Sequence, residues 1–288
     1  MEVADQDLGG LQTAGSRRRE VAGGSARRYL LTVLGEFVYP RGEPVWTATL
    51  TAALETLGIE EKSARQAIAR SSAEGLLFSE RKGRRVRWHV TDPGTRLLAE
   101  GTDRIYKFLT DPQPWDGRWL VLSVAIPETQ RQLRHKLRTR LTWLGMGSPS
   151  PGIWIVLDAS RESEVADVID ELGLGERAFA WSGSASSIGS KHALISAAWQ
   201  LDSVETLYGK FIAEFHGADG STPRASFESQ IKMVQAWRRF PFLDPALPRE
   251  LLDHDWPGPQ AAALFHEKHA EWHQSAQGYW EELVGRQP

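Results

Sequence analysis

Residues 60–90 read EEKSARQAIARSSAEGLLFSERKGRRVRWHV, and the reading of the whole chain grows from this stretch. At about 100° per residue, a helix over 60–75 puts Lys62, Arg65, Gln66, Ala69 and Arg70 on one side and Ala64, Ala67, Ile68 and Ser71 on the other. One side is small and fit for packing, while the other is basic and carries an amide. Arg and Gln can form bidentate hydrogen bonds with guanine and adenine edges in a major groove, whereas Lys62 and Arg70 suit phosphates. Glu60 and Glu61 in the first turn favour the helix dipole, and Gly75 ends the helix. Leu76-Leu77-Phe78 and Val86-Arg87-Trp88-His89-Val90 then predict two strands around a turn at Arg81-Lys82-Gly83-Arg84. Between Ser79 and His89, five Arg or Lys stand against the single Glu80. A turn that projects guanidinium groups beside a reading helix can straddle backbone phosphates and gain affinity from counterion release. The expected DNA contacts are therefore Lys62, Ser63, Arg65, Gln66 and Arg70 from the helix, with Arg81, Lys82, Arg84, Arg85 and Arg87 from the hairpin.

Upstream, Ser25 is placed to cap a helix in which Tyr29, Leu30, Val33, Leu34 and Phe37 recur at three- and four-residue spacing until Tyr39-Pro40. A second helix is predicted over Thr47–Leu57, closed by Gly58. The order helix, helix, helix, hairpin is the plan of a winged helix-turn-helix. Residues 1–24, rich in Gly, Ser, Ala and Arg without hydrophobic period, are expected to form a disordered tail. Its Ser16-Arg17-Arg18-Arg19 is either a phosphate contact or part of a solubilising extension.

Downstream, Thr91–Leu109 is a connecting helix, so the DNA-binding domain is expected over 25–110, and Pro112-Gln113-Pro114 follows as a linker. Trp119–Ile126 (WLVLSVAI), a basic helix over Thr129–Leu144, a short strand near Met146, Ile153–Leu157 (IWIVL), a helix over Glu162–Leu172 and a weaker strand at Ala178–Trp181 alternate as βαββαβ. That pattern predicts a ferredoxin-like α/β sandwich over 115–185. Gly183–Gly189 (GSASSIG) reads as a Ser/Gly loop, and 190–288 as a helical C-terminal domain interrupted by the Pro-rich segment 241–259. The fold class is α+β.

Composition narrows the functions available. The chain of 288 residues has no cysteine, which excludes disulfides, thiolate-bound zinc and cysteine nucleophiles. Net charge is -3, so nucleic-acid binding has to rest on local clustering of Lys and Arg. Of the twelve tryptophans, many fall beyond residue 115 and point to rigid aromatic packing there or to planar ligand surfaces. The acidic start MEVADQDLGG is unlike a signal peptide, and no apolar run approaches the ~18 residues of a membrane span, so a cytoplasmic protein without membrane partners is expected.

Ser25–Val90, then WDGRWLVLSVAIPE (Trp115–Glu128), and above all RRFPFLDPALPRELL (Arg238–Leu252) with WPGPQAAALF (Trp256–Phe265), resemble the PaaX family of transcriptional regulators. These are repressors of phenylacetic acid degradation operons and their relatives. The resemblance spans roughly 25–285 and is most specific in FPFLDPALP and WPG. It implies a winged helix on a pseudo-palindromic operator in double-stranded DNA, a middle domain similar to the ferredoxin-like CRISPR adaptation nuclease, and a helical C-terminal domain. It also implies a homodimer released by a small-molecule effector, an acyl-CoA such as phenylacetyl-CoA in the founding members.

Competing chemistries can be set beside this. A metal-dependent nuclease needs a carboxylate at the end of the first middle-domain strand, where this chain has Ala125 before Ile126. His266, His269 and His273 fall within about 60° of one helical face, as metal ligands or as residues bordering an apolar stripe; the spacing is not His-Glu-x-x-His. No catalytic residue, metal site or cofactor is expected. Trp237, Arg238, Arg239 and Phe240 combine guanidinium groups with aromatics, either as an effector pocket for a phosphate-bearing aromatic ligand or as tight packing of a Pro-rich loop. The winged helix as a protein-interaction module, and activation in place of repression, remain compatible with the same residues.

Overall fold

A computed structural model describes residues 26–111, 115–184 and 188–286. The expected tail with Ser16–Arg19, the Ser25 cap, the linker Pro112–Pro114 and the middle of the Gly183–Gly189 loop lie outside the described residues. The chain divides into two compact units, Met1–Arg104 with Ala218–Ala236 and Glu267–Pro288, and Ile105–Gly217 with Trp237–His266. Among the described residues no helix is long and apolar enough to cross a membrane.

The first unit begins with helix α1 over residues 26–33, which continues through a π-helical turn, Leu34–Val38, into a short 3-10 turn, Tyr39–Arg41. Strand β1 (Val45–Trp46), helices α2 (Thr47–Thr56) and α3 (Glu61–Ala73), and the hairpin strands β2 (Leu77–Lys82) and β3 (Arg85–Val90) follow. The three strands form one antiparallel sheet in the order β1-β3-β2. β1 was not expected, because two residues between Pro44 and a helix are too few to show a period. The hairpin strands also run further than their hydrophobic alternation indicated. Lys82 pairs with Arg85, leaving only Gly83 and Arg84 as the loop, so Arg81, Lys82, Arg85 and Arg87 are strand residues.

Helix α4 (Asp92–Lys107) starts where Thr91 Oγ1 accepts the Gly94 amide at 3.1 Å and donates to the Gly75 carbonyl at 2.6 Å. One threonine thus caps α4 and ties it to the end of α3. Leu30, Phe37, Leu50, Leu54 and Ile68 share a core with Phe227 and Ile231 of α9 (Pro223–Trp237) and with Trp280 and Leu283 of α11 (Gly258–Gly285). Phe37 stands 4.9 Å from Phe227 and 5.5 Å from Trp280, centroid to centroid. Each such large apolar side chain contributes about 1.5–3 kcal/mol by leaving water, so the α1–α3 platform depends on residues near the far end of the chain.

In the second unit β4 (Arg118–Val124), α5 (Arg131–Trp143), β5 (Gly147–Ser150), β6 (Ile153–Val156), α6 (Glu162–Glu171) and β7 (Ala178–Ser184) follow in the expected alternation. Their sheet has the order β5-β6-β4-β7, and every neighbouring pair is antiparallel. Leu120, Leu122 and Val124, two residues apart, face Leu137 and Leu141 of α5 and Val165, Val168 and Ile169 of α6. Trp119, with Ile155 and Leu157, faces Ile195 of α7 (Lys191–Ala198) and Leu247 on the other side. Strand β7 reaches Ser184, so the Gly183–Gly189 loop begins later than expected.

Helices α8 (Leu201–Phe215) and α10 (Phe240–Leu243) surround an aromatic cluster in this unit. Tyr208 stacks on Phe240 at 4.1 Å, and Trp237 stacks on Phe265 at 4.9 Å. The FPFLDPALP segment is pinned by Asp244, which accepts from Tyr208 Oη at 2.6 Å and from the Ala246 amide at 2.7 Å. Burial pushes the Asp244 carboxyl above its ordinary range, against these hydrogen bonds. Ala246 is held at φ 52°, a left-handed conformation that costs a non-glycine residue about 1–2 kcal/mol.

Candidate nucleic-acid interface

Helix α3 is positioned by its buried side, where Ala64, Ala67, Ile68 and Ser71 lie inside, the four residues assigned to packing from their spacing. Its C-terminus closes through Leu76 N donating to Ser71 O and Gly75 N to Ser72 O, both at 2.9 Å, with Gly75 at φ 77°. This closure needs the left-handed backbone that glycine adopts freely, and it turns the chain directly into β2.

Lys62, Arg65, Gln66 and Arg70 are exposed, and Ser63 is half-buried. Lys62, Arg65 and Gln66 line a shallow surface depression together with Glu61 and Ala69. Arg65 is held along the helix by Glu61, with Nε to Oε1 at 2.8 Å. Because this is an exposed i,i+4 pair, its hold is weak and exchangeable for a base edge or phosphate.

On the hairpin, Arg81, Lys82, Arg84 and Arg85 are exposed. Gly83, at φ 64°, takes the first central position of the two-residue loop, as primed hairpin turns require, and Arg84 forms the tip. Arg85 lies 6.0 Å from the Trp46 ring, Thr47 Oγ1 donates to the Val86 carbonyl at 3.0 Å, and Trp88 Nε1 donates to Thr47 Oγ1 at 2.8 Å. Trp46 and Thr47 were not singled out from the sequence, although Pro-Val-Trp-Thr ahead of an apolar helix is the available signal.

Arg87 behaves differently from its neighbours. It is half-buried, and its Nε and NH2 reach Glu80 Oε2 and Oε1 at 2.7 and 3.0 Å, across the strand pair that joins the two residues. His89 Nε2 lies 2.8 Å from the same carboxylate, which the Arg87 hydrogen bonds, then His89, hold down to about 2. Arg87 is therefore engaged across the strands, whereas Arg81, Lys82, Arg84 and Arg85 present their side chains to solvent.

The other candidate groups are placed elsewhere. Trp237 is 0% and Phe240 1% exposed, both inside the aromatic cluster, and Trp237 Nε1 donates to Ile105 O at 3.0 Å. Of the two readings for this segment, packing is what the rings do, while Arg238 is half-buried and Arg239 exposed beside them. His269 Nε2 is 2.9 Å from Glu36 Oε2, which also accepts from Gln230 Nε2 at 2.8 Å. His273 adjoins His269, and burial, then that neighbour, hold it below the usual histidine range; His266 belongs to the other unit. Among the described residues no three His, Cys, Asp or Glu side chains gather to hold a metal. Ala125 follows β4, and its amide donates to the Arg177 carbonyl at 3.1 Å.

Comparison with known families matches residues 25–94 to the PaaX-like protein model, 112–195 to the PaaX protein central Cas2-like domain, and 199–282 to the PaaX-like protein C-terminal domain. The chain belongs to the PaaX family. The first of these matches contains α3 and the whole basic hairpin. Among PaaX proteins, the transcriptional repressor PaaX of Escherichia coli (strain K12) is 29% identical over 254 residues, covering 83% of this chain and 78% of that one. A solved structure, the uncharacterized protein Rv0674 from Mycobacterium tuberculosis, shares the fold with a TM-score of 0.60 at 21% identity, over 86% of this chain and 97% of that one.

Proposed function

We propose that this PaaX protein is a non-enzymatic, DNA-binding transcriptional repressor whose α3 reads bases in the major groove while the β2–β3 hairpin grips the backbone. The observation that carries the reading is the joint exposure of Lys62, Arg65, Gln66 and Arg70 on α3 and of Arg81, Lys82, Arg84 and Arg85 on the hairpin. The repressor of E. coli, similar along most of the chain, supports it. On this reading residues 25–110 are a winged helix-turn-helix with its connecting helix, 115–185 a ferredoxin-like middle domain and 190–288 a helical C-terminal domain. The protein works in the cytoplasm as a homodimer on a pseudo-palindromic operator. A small metabolite such as an aryl-acyl-CoA binds the non-DNA conformation better and shifts the population away from the operator.

Changing Arg65 or Gln66 to Ala is expected to weaken specific binding by about 1–3 kcal/mol per lost base contact and to leave non-specific binding nearly intact. Arg84→Ala or Arg85→Ala lowers binding to all sequences and reduces the salt slope by about 1 per chain. Fluorescence anisotropy on operator and scrambled duplexes over a salt series separates the two classes. Unchanged operator affinity in all four variants would overturn the proposal.

A further inference from the structure

The basic helix α5 carries Arg131, Arg134, His135 and Arg138 at i, i+3, i+4 and i+7, which is one helical face. These four side chains line a cleft of about 550 Å³ with Val124, Ile126, Leu137, Ser148, Gly152 and Trp154. Val124, Leu137 and Trp154 are buried and make an apolar floor. Beyond them, Val124 N donates to Gly152 O at 2.8 Å, pinning the β5–β6 turn to the end of β4.

Two of the arginines are already anchored. Arg134 NH2 donates to the Glu128 carbonyl oxygen at 2.8 Å, and the Arg138 guanidinium lies 5.8 Å from the centroid of the Trp154 ring. Among the described residues neither the three arginines nor His135 has a carboxylate ion-pair partner, and Glu128 is the only acid lining the cleft. Three guanidinium groups and an imidazole, with a single acid in the lining, suit an anion, whereas a divalent cation requires several oxygen ligands.

The geometry points to a binding site for a small molecule that carries phosphate groups beside an apolar portion, with the phosphates on Arg131, Arg134 and Arg138 and the apolar portion over Val124 and Trp154. Arginine binds phosphate bidentately, and heads fixed in advance lose less freedom on binding. The cleft volume falls in the range of roughly 300–1,000 Å³ that small ligands occupy. Duplex phosphates are met by side chains that protrude, and the recessed floor favours a small molecule over DNA. The role of this ligand as the releasing effector rests on the repressor reading above; the site itself does not.

Isothermal titration of the full chain with inorganic pyrophosphate and with phenyl phosphate tests the site. The expected result is saturable binding of both, with phenyl phosphate tighter than inorganic phosphate titrated alongside them. Affinity for pyrophosphate should fall about tenfold or more in Arg131→Ala/Arg138→Ala, as expected for lost charge-assisted bonds. It should be unchanged in Lys136→Ala, which removes a charge outside the cleft. Absence of saturable binding, or equal losses in both variants, overturns the assignment. The double variant should also keep the operator affinity and salt slope of the parent. A flattened slope would make this face a DNA contact and sink the small-molecule site while leaving the repressor reading intact. If instead the Arg65, Gln66 and Arg84 variants bind the operator like the parent, the repressor reading fails, and the pyrophosphate titration alone judges the cleft.

Discussion

Glu80 is the single acid among five bases between Ser79 and His89, and its position decides what those bases do. It engages Arg87 and His89 closely and Lys82 at 3.8 Å, which holds the strands together and leaves Arg81, Arg84 and Arg85 outside its reach. The charge density was legible in the sequence, but the division of labour was not, because Arg87 and Arg85, on the same strand, face different partners across the sheet, Glu80 and Lys82. A carboxylate held at about 2 in the folded chain, against an ordinary 4.5, adds stability that is present above 4.5 and lost as the pH falls from there through about 2. Glu80→Gln removes that dependence. The parent should therefore melt higher than Glu80→Gln near neutral pH and converge on it between about pH 4.5 and about pH 2. Melting curves over a pH series give the comparison, and parallel curves would show that the carboxylate does not brace the hairpin.

At the level of elements, α3 was readable to the residue on its packing side, because a helical period imposed on Ala64, Ala67, Ile68 and Ser71 leaves little choice of face. The hairpin was readable in kind but not in extent, since its outer rungs are Arg and Lys and carry no apolar alternation. The sequence also could not show how tightly α4 approaches the α3–β2 junction. A Cβ built on Gly94 would fall 2.3 Å from the Leu76 carbonyl oxygen and 2.9 Å from Val90 Cγ1, so only glycine lets the three elements meet. Gly94→Ala should destabilise the unit by about 1–3 kcal/mol through overpacking and, on the proposed interface, weaken operator binding with it, because Leu76 joins α3 to the hairpin. Gly101, on the same helix, has open space at its Cβ position, and Gly101→Ala should be stabilising by about 0.5–1 kcal/mol. Urea unfolding of both variants checks the contrast, and a Gly94→Ala midpoint no lower than that of Gly101→Ala would contradict the packing described.

For the whole molecule, periodicity tells which face of a helix is buried but not what buries it. The sharing of one core by Phe37, Phe227 and Trp280 could therefore only come from coordinates. The question at this scale is how a chain of net charge -3 binds a polyanion specifically. Charges remote from the interface are screened beyond ~8 Å at physiological salt, so on the proposed interface the local cations of α3 and the hairpin dominate once contact is made. A single reading helix reaches base edges with only three or four side chains, too few to single out one operator among roughly 10⁶–10⁹ competing sites. In the proposed homodimer, two helices on a pseudo-palindrome double both the base contacts and the neutralised phosphates. Since log K falls with log salt at about 0.9 per neutralised phosphate, the slope for the full operator should be about twice that for an isolated half-site. With Arg84→Ala/Arg85→Ala it should drop by about 2 per chain, hence about 4 per operator. Sedimentation equilibrium with labelled duplex should find two chains on each full operator. One chain per operator, with equal slopes on whole and half sites, would rule out two-fold reading and require the specificity to come from a single protomer.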